Sequence, residues 1–154
     1  MYFVDRKLIE NRLAHMDELL GLYSEDKEWS GDLIHALAVA RLSHVVIESI
    51  IDVGNSMIDG FIMRDPGGYD DIIDIMEDEK VITTEMSQPL KDVIALRRMI
   101  VRDFSNVNTA EVVDVLNESM NALLEFPVKV RHYLEHELGP VSAFLPVRKI
   151  NEKI

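Results

Sequence analysis

Apolar residues recur every three or four positions through most of the chain. Between 5 and 23 this spacing would place Ile9, Leu13, Met16 and Leu20 on one face of a helix. The stretch 31–63 is apolar around nearly its whole circumference, which indicates burial on more than one side. Further helical periods span about 69–80, 84–104 and 109–138. The pattern predicts an all-α chain of about five helices with short connections, which is typical of an up-and-down bundle.

The predicted helix ends rest on capping and helix-breaking residues. The carboxylate of Asp5 can accept hydrogen bonds from the first amides of the first helix. Proline and two glycines within 64–68 end the second helix, because the residue before proline avoids the helical region. Thr84 or Ser87 is the expected cap of the fourth helix, and Thr109 followed by Glu111 opens the fifth.

Composition fits one domain with its own core. The chain has 154 residues, of which 47% are hydrophobic, and no cysteine. It therefore has no disulfide, no thiolate metal site and no cysteine nucleophile. We find no secretory signal and no apolar window approaching the roughly 20 residues that cross a bilayer. We expect a cytoplasmic protein without a membrane segment, formed by a helical domain at 1–144 and a tail at 145–154.

The charge of the chain restricts how it could meet nucleic acid. A formal net charge of −12 repels polyanions at long range, so any RNA contact needs a local cationic site. The segment LRRMIVRDF supplies one in Arg97, Arg98 and Arg102, of which the last two are i,i+4 neighbours on a helix. Like charges at that spacing repel each other. Either protein carboxylates or a bound phosphate must offset them, and the spacing alone does not decide between these.

The second helix carries a polar stripe on its otherwise apolar surface. Its members are spaced by three or four residues and would share one face: His44, Glu48, Asp52, Asn55 and Asp59. Charges on a core-like helix need partners, and the arginines of the fourth helix are the expected ones. A metal site of imidazole and carboxylates is the alternative, although the sequence supplies no complete ligand set.

A second metal hypothesis comes from RHYLEHE near the end of the fifth helix. His132, Glu135 and His136 match the inverted zinc-protease pattern, in which two histidines bind zinc and the glutamate is the base. The pattern is short, and histidines near a helix C-terminus also interact favourably with the helix dipole. The chain has no phosphate-cradling glycine loop. We therefore expect no metal and no cofactor.

Three longer strings resemble a known family. They are MYFVDRKLIE, the central string HVVIESIIDVGNSMIDGFIMRDPGGYDDIIDIMEDEKVI, and ELGPVSAF. They resemble the YutE-like branch of the HepT-like proteins in the HEPN superfamily, and the resemblance extends over nearly the whole chain. It implies a homodimer of helical bundles. It also implies a metal-independent ribonuclease toxin paired with a small nucleotidyltransferase antitoxin. The nearly all-round apolar second helix independently favours a homodimer, with this helix in the contact.

The family signature is altered in this chain. It consists of an arginine followed by a polar residue, then a histidine after four to six residues, and often a tyrosine two residues later. Arg97 matches the arginine, Arg98 stands at the polar position, Arg102 replaces the histidine and Phe104 replaces the tyrosine. An arginine stays protonated, so Arg102 cannot be a general base, although it can stabilise a phosphorane-like transition state. His44 is a candidate substitute base if the polar stripe faces the arginines.

These observations lead to three functional hypotheses. The first is a HepT-like homodimer that binds RNA or another anion at Arg97, Arg98 and Arg102, with weak or no nuclease activity and with Arg97 and Arg102 as the catalytic remnant. The second is a working ribonuclease in which another residue is the base. The third is a non-catalytic helical module whose partner is a nucleotidyltransferase-like antitoxin. Phe104 has no hydroxyl, so it cannot accept the nucleotide that such partners attach to the motif tyrosine.

Overall fold

The computed structural model describes residues 3–25 and 28–139. Within these ranges the secondary structure is helical, with α1 at Arg6–Glu25, α2 at Leu33–Gly60, α3 at Tyr69–Asp78, α4 at Thr84–Arg97 and α5 at Thr109–Leu138. The predicted all-α fold of five helices is confirmed. The expected boundary between the domain at 1–144 and the tail at 145–154 lies outside the described residues.

The long central helix α2 packs against each of the four other helices. This position explains its nearly continuous apolar surface, since Val46, Ile50, Val53 and Met57 are fully buried. By length and composition alone α2 could also cross a membrane, with a mean hydropathy of 1.5 over its most apolar window. The sequence prediction had not identified such a window. Core helices of soluble proteins can have the same length and hydropathy, so these two properties of α2 are weak evidence for a membrane span.

Helices α1 and α5 run antiparallel along one side of the bundle. The hydroxyl of Tyr23, at the end of α1, donates to Asn117 Oδ1 near the start of α5 over 2.7 Å. At the other end of the pair, Arg131 of α5 forms ion pairs with Glu10 and Asp17 of α1 at 2.8 and 2.9 Å. The buried residues of α1 recur every three or four positions, as the sequence pattern predicted.

Local hydrogen bonds explain where the helices begin. The amide of Leu8 donates to the carboxylate of Asp5 over 2.9 Å, which confirms the predicted cap of α1. The prediction that Thr84 or Ser87 caps α4 is wrong, because the cap position is Thr83, whose side chain makes no capping hydrogen bond. Helix α5 begins after Asn108, whose side-chain oxygen accepts from the amide of Glu111.

The fourth helix does not continue as an α-helix to residue 104, as the periodicity predicted. The α-helix ends at Arg97 and is followed by one π-helical turn, Arg98–Arg102. The amide of Asp103 closes this turn by donating to the carbonyl of Arg98 over 3.3 Å, five residues back. The wider turn lets the chain leave the helix axis and reverse into α5 through the connection at 103–108.

Candidate functional site

The candidate site is built where the middle of α2 meets the end of α4. Glu48 on α2 and Arg97 on α4 are joined by a hydrogen-bonded ion pair, with Arg97 Nε donating to Glu48 Oε1 over 2.7 Å. The side chains are partly accessible, at 45% exposed for Glu48 and 25% for Arg97. The hydrogen bond that Arg97 donates to Glu48 is the main reason that the pKa of Arg97 is raised above its ordinary value. The sequence prediction that the polar stripe faces the arginines is therefore confirmed for this pair.

Arg97 is also held from a second side by an aromatic ring. Its guanidinium carbon lies 5.0 Å from the centroid of the Tyr69 ring at the start of α3, within cation–π range. Tyr69 is 46% exposed. The guanidinium is thus fixed between a carboxylate and an aromatic face, which sets its position at the surface.

His44 extends the same polar group along α2. Its Nε2 lies 3.7 Å from Glu48 Oε1, the oxygen that also accepts from Arg97. Its Nδ1 lies 3.4 Å from a guanidinium nitrogen of Arg41, one turn earlier on the same helix. Arg41, His44, Glu48 and Arg97 therefore form a continuous chain of polar contacts, which we call the Arg41–Arg97 relay.

The remaining members of the polar stripe do not join α4. Asp52 pairs instead with Arg12 of α1, with 2.9 Å between Arg12 Nε and Asp52 Oδ2. This corrects the expectation that the stripe as a whole faces the arginines of the fourth helix, because α1 covers this end of α2. Asn55 and Asp59 are exposed. Their supporting role at the site therefore stays a prediction.

Arg98 and Arg102 bracket the π-helical turn and are both exposed. Among the described residues neither side chain has an ion pair or a hydrogen bond. A protein carboxylate thus neutralises Arg97, which is one of the two expected ways to offset the charge of the arginine cluster. The guanidinium groups of Arg98 and Arg102 remain open to solvent. Phe104 follows with 74% of its surface exposed.

A groove of about 370 Å³ connects the relay to the segment that follows the π-helical turn. One wall is the N-terminal half of α2, and the other is the connection between α4 and α5. Its residues are largely apolar or small, with Arg41 and His44 at the polar end: Leu33, Ala36, Leu37, Ala40, Arg41, His44, Ile100, Phe104, Ser105, Val107 and Thr109.

Neither metal hypothesis gains support from the structure. Over 3–25 and 28–139 no three histidine or carboxylate side chains are grouped so that they could hold a metal ion. Asp52, the third ligand of one hypothetical set, is engaged by Arg12. His132 and His136 are exposed, with parallel rings 6.5 Å apart between centroids. They offer two imidazoles without a third protein ligand among the described residues.

Sequence reasoning missed Arg41 and Tyr69. Arg41 could have been found by extending the polar stripe backward, since it precedes His44 by three residues on the same helix face. Tyr69 carries no such signal, because its approach to Arg97 depends on how α3 packs between α2 and α4.

Comparison with known proteins assigns the chain to a family. The model of the ribonuclease HepT-like family matches residues 9–130, and the chain belongs to that family. A relative named "Putative RNase YutE", from Bacillus subtilis (strain 168), is 47% identical over 144 residues, which cover 94% of this chain and 99% of the relative.

Solved structures agree with the assignment. The structure of YutE from Bacillus subtilis, described as a cytosolic protein, matches with a TM-score of 0.89 and covers 94% of this chain and all of that one. A toxin–antitoxin structure with AMP-PNP matches with a TM-score of 0.73 at 20% identity, covering 82% of this chain and 99% of the other. A tri-AMPylated Shewanella oneidensis HEPN toxin in complex with the MNT antitoxin matches with a TM-score of 0.70 at 20% identity. The match covers 80% of this chain and 96% of the other. At 20% identity these last two establish the fold alone.

Proposed function

We propose that this HepT-like protein binds RNA at Arg97, Arg98 and Arg102 and cleaves it feebly without added metal, in the cytoplasm. The observation that carries the proposal is the pair of exposed, unpaired cations at Arg98 and Arg102 among the described residues of a chain with net charge −12. In so acidic a protein, carboxylates are plentiful, so two adjacent unpaired arginines are suited to an external anion. A string of phosphates with single-stranded flexibility fits such a surface.

The chemistry of the altered signature limits the expected rate. Cleavage through the 2′-hydroxyl needs a group that exchanges protons near neutral pH, and Arg102 remains protonated. Removing a general base typically costs about 10²–10⁴-fold in rate. Arg97 and Arg102 can still stabilise the charge that develops on the phosphate in the transition state. The expected enzyme is therefore slow, and its binding weakens with salt because the contact is mostly cationic.

We propose further that the protein acts as a homodimer whose contact includes the N-terminal part of α2. Three apolar residues there, Leu33, Ile34 and Leu37, are 73, 78 and 63% exposed, and Phe104 lies across the groove from Leu37. Large apolar side chains grouped in this way on an otherwise acidic surface are typical of an interface. A second copy of the same chain would cover them and leave the polar end of the groove, at Arg41 and His44, open. Sedimentation at micromolar concentration is expected to give twice the chain mass of 17.6 kDa, and a monomer would contradict the proposal.

A nucleotidyltransferase-like antitoxin is the proposed protein partner. The toxin–antitoxin complexes of the same fold support this, because in one of them the toxin is bound by the MNT antitoxin. Phe104 stands at the position of the family's tyrosine and lacks its hydroxyl, so nucleotide transfer to this position is chemically impossible. The partner would then act by binding alone. If the arginines bind no RNA, this interaction function becomes the leading hypothesis.

The test compares RNA binding and cleavage by the wild type with Arg98→Ala and Arg102→His. Arg98→Ala should weaken binding and reduce the dependence of log K on log salt by about one unit for one lost phosphate contact. Lys7→Ala, which removes an exposed cation from α1, is the matched control and should leave the slope unchanged. Arg102→His should raise the cleavage rate by restoring a proton-transfer group. Equal binding by the wild type and Arg98→Ala at every salt concentration would contradict the proposed site.

A further inference from the structure

His44 is set apart from the other histidines of the chain by its position. The chain has five histidines, and all lie within the described residues. His15 contacts Glu18 within α1, His35 contacts Asp32 at the start of α2, and His132 and His136 lie on α5. His44 alone among them lines the groove that reaches Phe104 and contacts the carboxylate that holds Arg97.

The geometry places an imidazole and a guanidinium near the same carboxylate oxygen atom. Glu48 Oε1 lies 2.7 Å from Arg97 Nε and 3.7 Å from His44 Nε2. The His44 side chain is 29% exposed, so it is accessible from the groove while being fixed by its neighbours. A phosphodiester bound to Arg97 would therefore meet the imidazole within the span of one nucleotide.

The neighbours of His44 also indicate which ring nitrogen can accept a proton. Arg41 can only donate, so the Nδ1 atom that faces it at 3.4 Å carries the lone pair. The proton then resides on Nε2, which faces Glu48. At 3.7 Å the carboxylate is too far from Nε2 for a hydrogen bond, so it is a nearby negative charge that faces the imidazolium formed when Nδ1 accepts a proton. The contact with Arg41 is long and a substrate hydroxyl could displace it.

We propose that His44, positioned by Glu48, is the proton-transfer residue of this ribonuclease and replaces the function that Arg102 cannot perform. This inference rests on the RNA cleavage proposed above. His44 Nδ1 takes the proton of a ribose 2′-hydroxyl, and the 2′-oxygen forms a bond to phosphorus. The bond from phosphorus to the 5′-oxygen breaks, and that oxygen takes a proton from the imidazolium. The products are a 2′,3′-cyclic phosphate and a 5′-hydroxyl, while Arg97 holds the phosphate throughout.

The charged and titratable groups around His44 come from three helices. Glu48 and Arg41 lie on the same helix as His44, Arg97 of α4 contacts Glu48, and Tyr69 of α3 faces Arg97. Histidine is the side chain that exchanges protons in the range of about pH 5 to 8. Cleavage should therefore rise with pH across this range in a way that depends on residue 44.

The experiment measures cleavage of an end-labelled single-stranded RNA by the full-length protein from pH 5 to 8, together with RNA affinity. His44→Gln should lower the rate at least tenfold and remove the pH-dependent rise, while the dissociation constant changes less than twofold. His15→Gln, an exposed histidine beside Glu18, is the matched control and should behave as the wild type. Added imidazole should restore cleavage by His44→Ala. Glu48→Gln should lower the rate and shift the pH profile.

Different outcomes separate this inference from the proposed function. Undiminished cleavage by His44→Gln with an unchanged pH profile would overturn the role of His44 and leave RNA cleavage standing. If the wild-type protein binds RNA without cutting it, the proposed role of His44 is also wrong, whereas the proposed cationic RNA-binding site stands. The double variant His44→Gln with Arg102→His should cleave RNA as fast as Arg102→His alone, because the histidine introduced at position 102 then transfers the proton. Wild-type protein that binds no RNA would contradict the proposed function itself.

Discussion

The contact between α2 and α3 allows a stability prediction worked from a single methyl group. A Cβ atom added at Gly54 would lie 2.4 Å from Ile72 Cγ2 and 3.4 Å from Met76 Sδ. Both neighbours belong to the buried core, and the shorter distance requires α3 or the side chain of Ile72 to move. Overpacking of this kind costs about 1–3 kcal/mol. Replacing glycine by alanine within a helix stabilises by about 1 kcal/mol, so Gly54→Ala should lower the free energy of unfolding by up to about 2 kcal/mol.

Gly21→Ala is the matched control for this substitution. Gly21 also lies inside a helix, but it is exposed and a Cβ there has no atom within 4 Å. Gly21→Ala should raise the free energy of unfolding by about 1 kcal/mol through helix propensity alone. Each kcal/mol corresponds to roughly 2–4 °C in a domain of this size, so the two variants should melt on opposite sides of the wild type. Circular dichroism at one fixed protein concentration measures this, since dimerisation would shift the midpoint. A Gly54→Ala protein that melts at or above the wild type would refute the packing argument.

Four further substitutions test individual contacts. Glu48→Ala should destabilise by less than about 1 kcal/mol in urea unfolding, because the ion pair with Arg97 is partly exposed; a loss near 3 kcal/mol would show a buried pair. Asn108→Ala should cost about 1 kcal/mol by removing the cap of α5. Lys80→Gly should stabilise by about 0.5–1 kcal/mol, because φ is 62° there. Burial raises the pKa of Tyr23, so the folded state retains that proton longer and wild-type stability should fall as pH rises above 10.0, whereas Tyr23→Phe should lack this fall.

The helices were predictable from sequence to the extent that their own residues determine them. The five periodic stretches are found as five helices, because burial of a continuous face selects the helical spacing. The end of α4 was not predictable in the same way. The residues at 98–102 keep a helical period, and only the path of the chain into α5 requires the wider π-helical turn.

The candidate site was also predictable from sequence only in part. The pairing of Glu48 with Arg97 could be anticipated, because each lies on a charged stripe of a helix that needs an opposite charge. The partner of Asp52 could not, since the pattern does not tell which of two neighbouring helices covers a given turn. The contact of His44 with the shared oxygen of Glu48 depends on side-chain directions that only the packed bundle fixes.

The π-helical turn after Arg97 has a consequence for insertions and deletions. A π-helical turn holds one residue more than an α-helical turn, so it is the form that an α-helix takes when it absorbs a single inserted residue. Removing one residue from 99–101 would let α4 continue as a regular helix into the same connection. Arg102 would then keep nearly the same angle about the helix axis relative to Arg97, because one α-helical turn would replace the one wider turn between them. Because Ile100 within this turn is buried, removal of Met99 or Val101 rather than Ile100 would change the sequence spacing of the two arginines with the smallest loss of core.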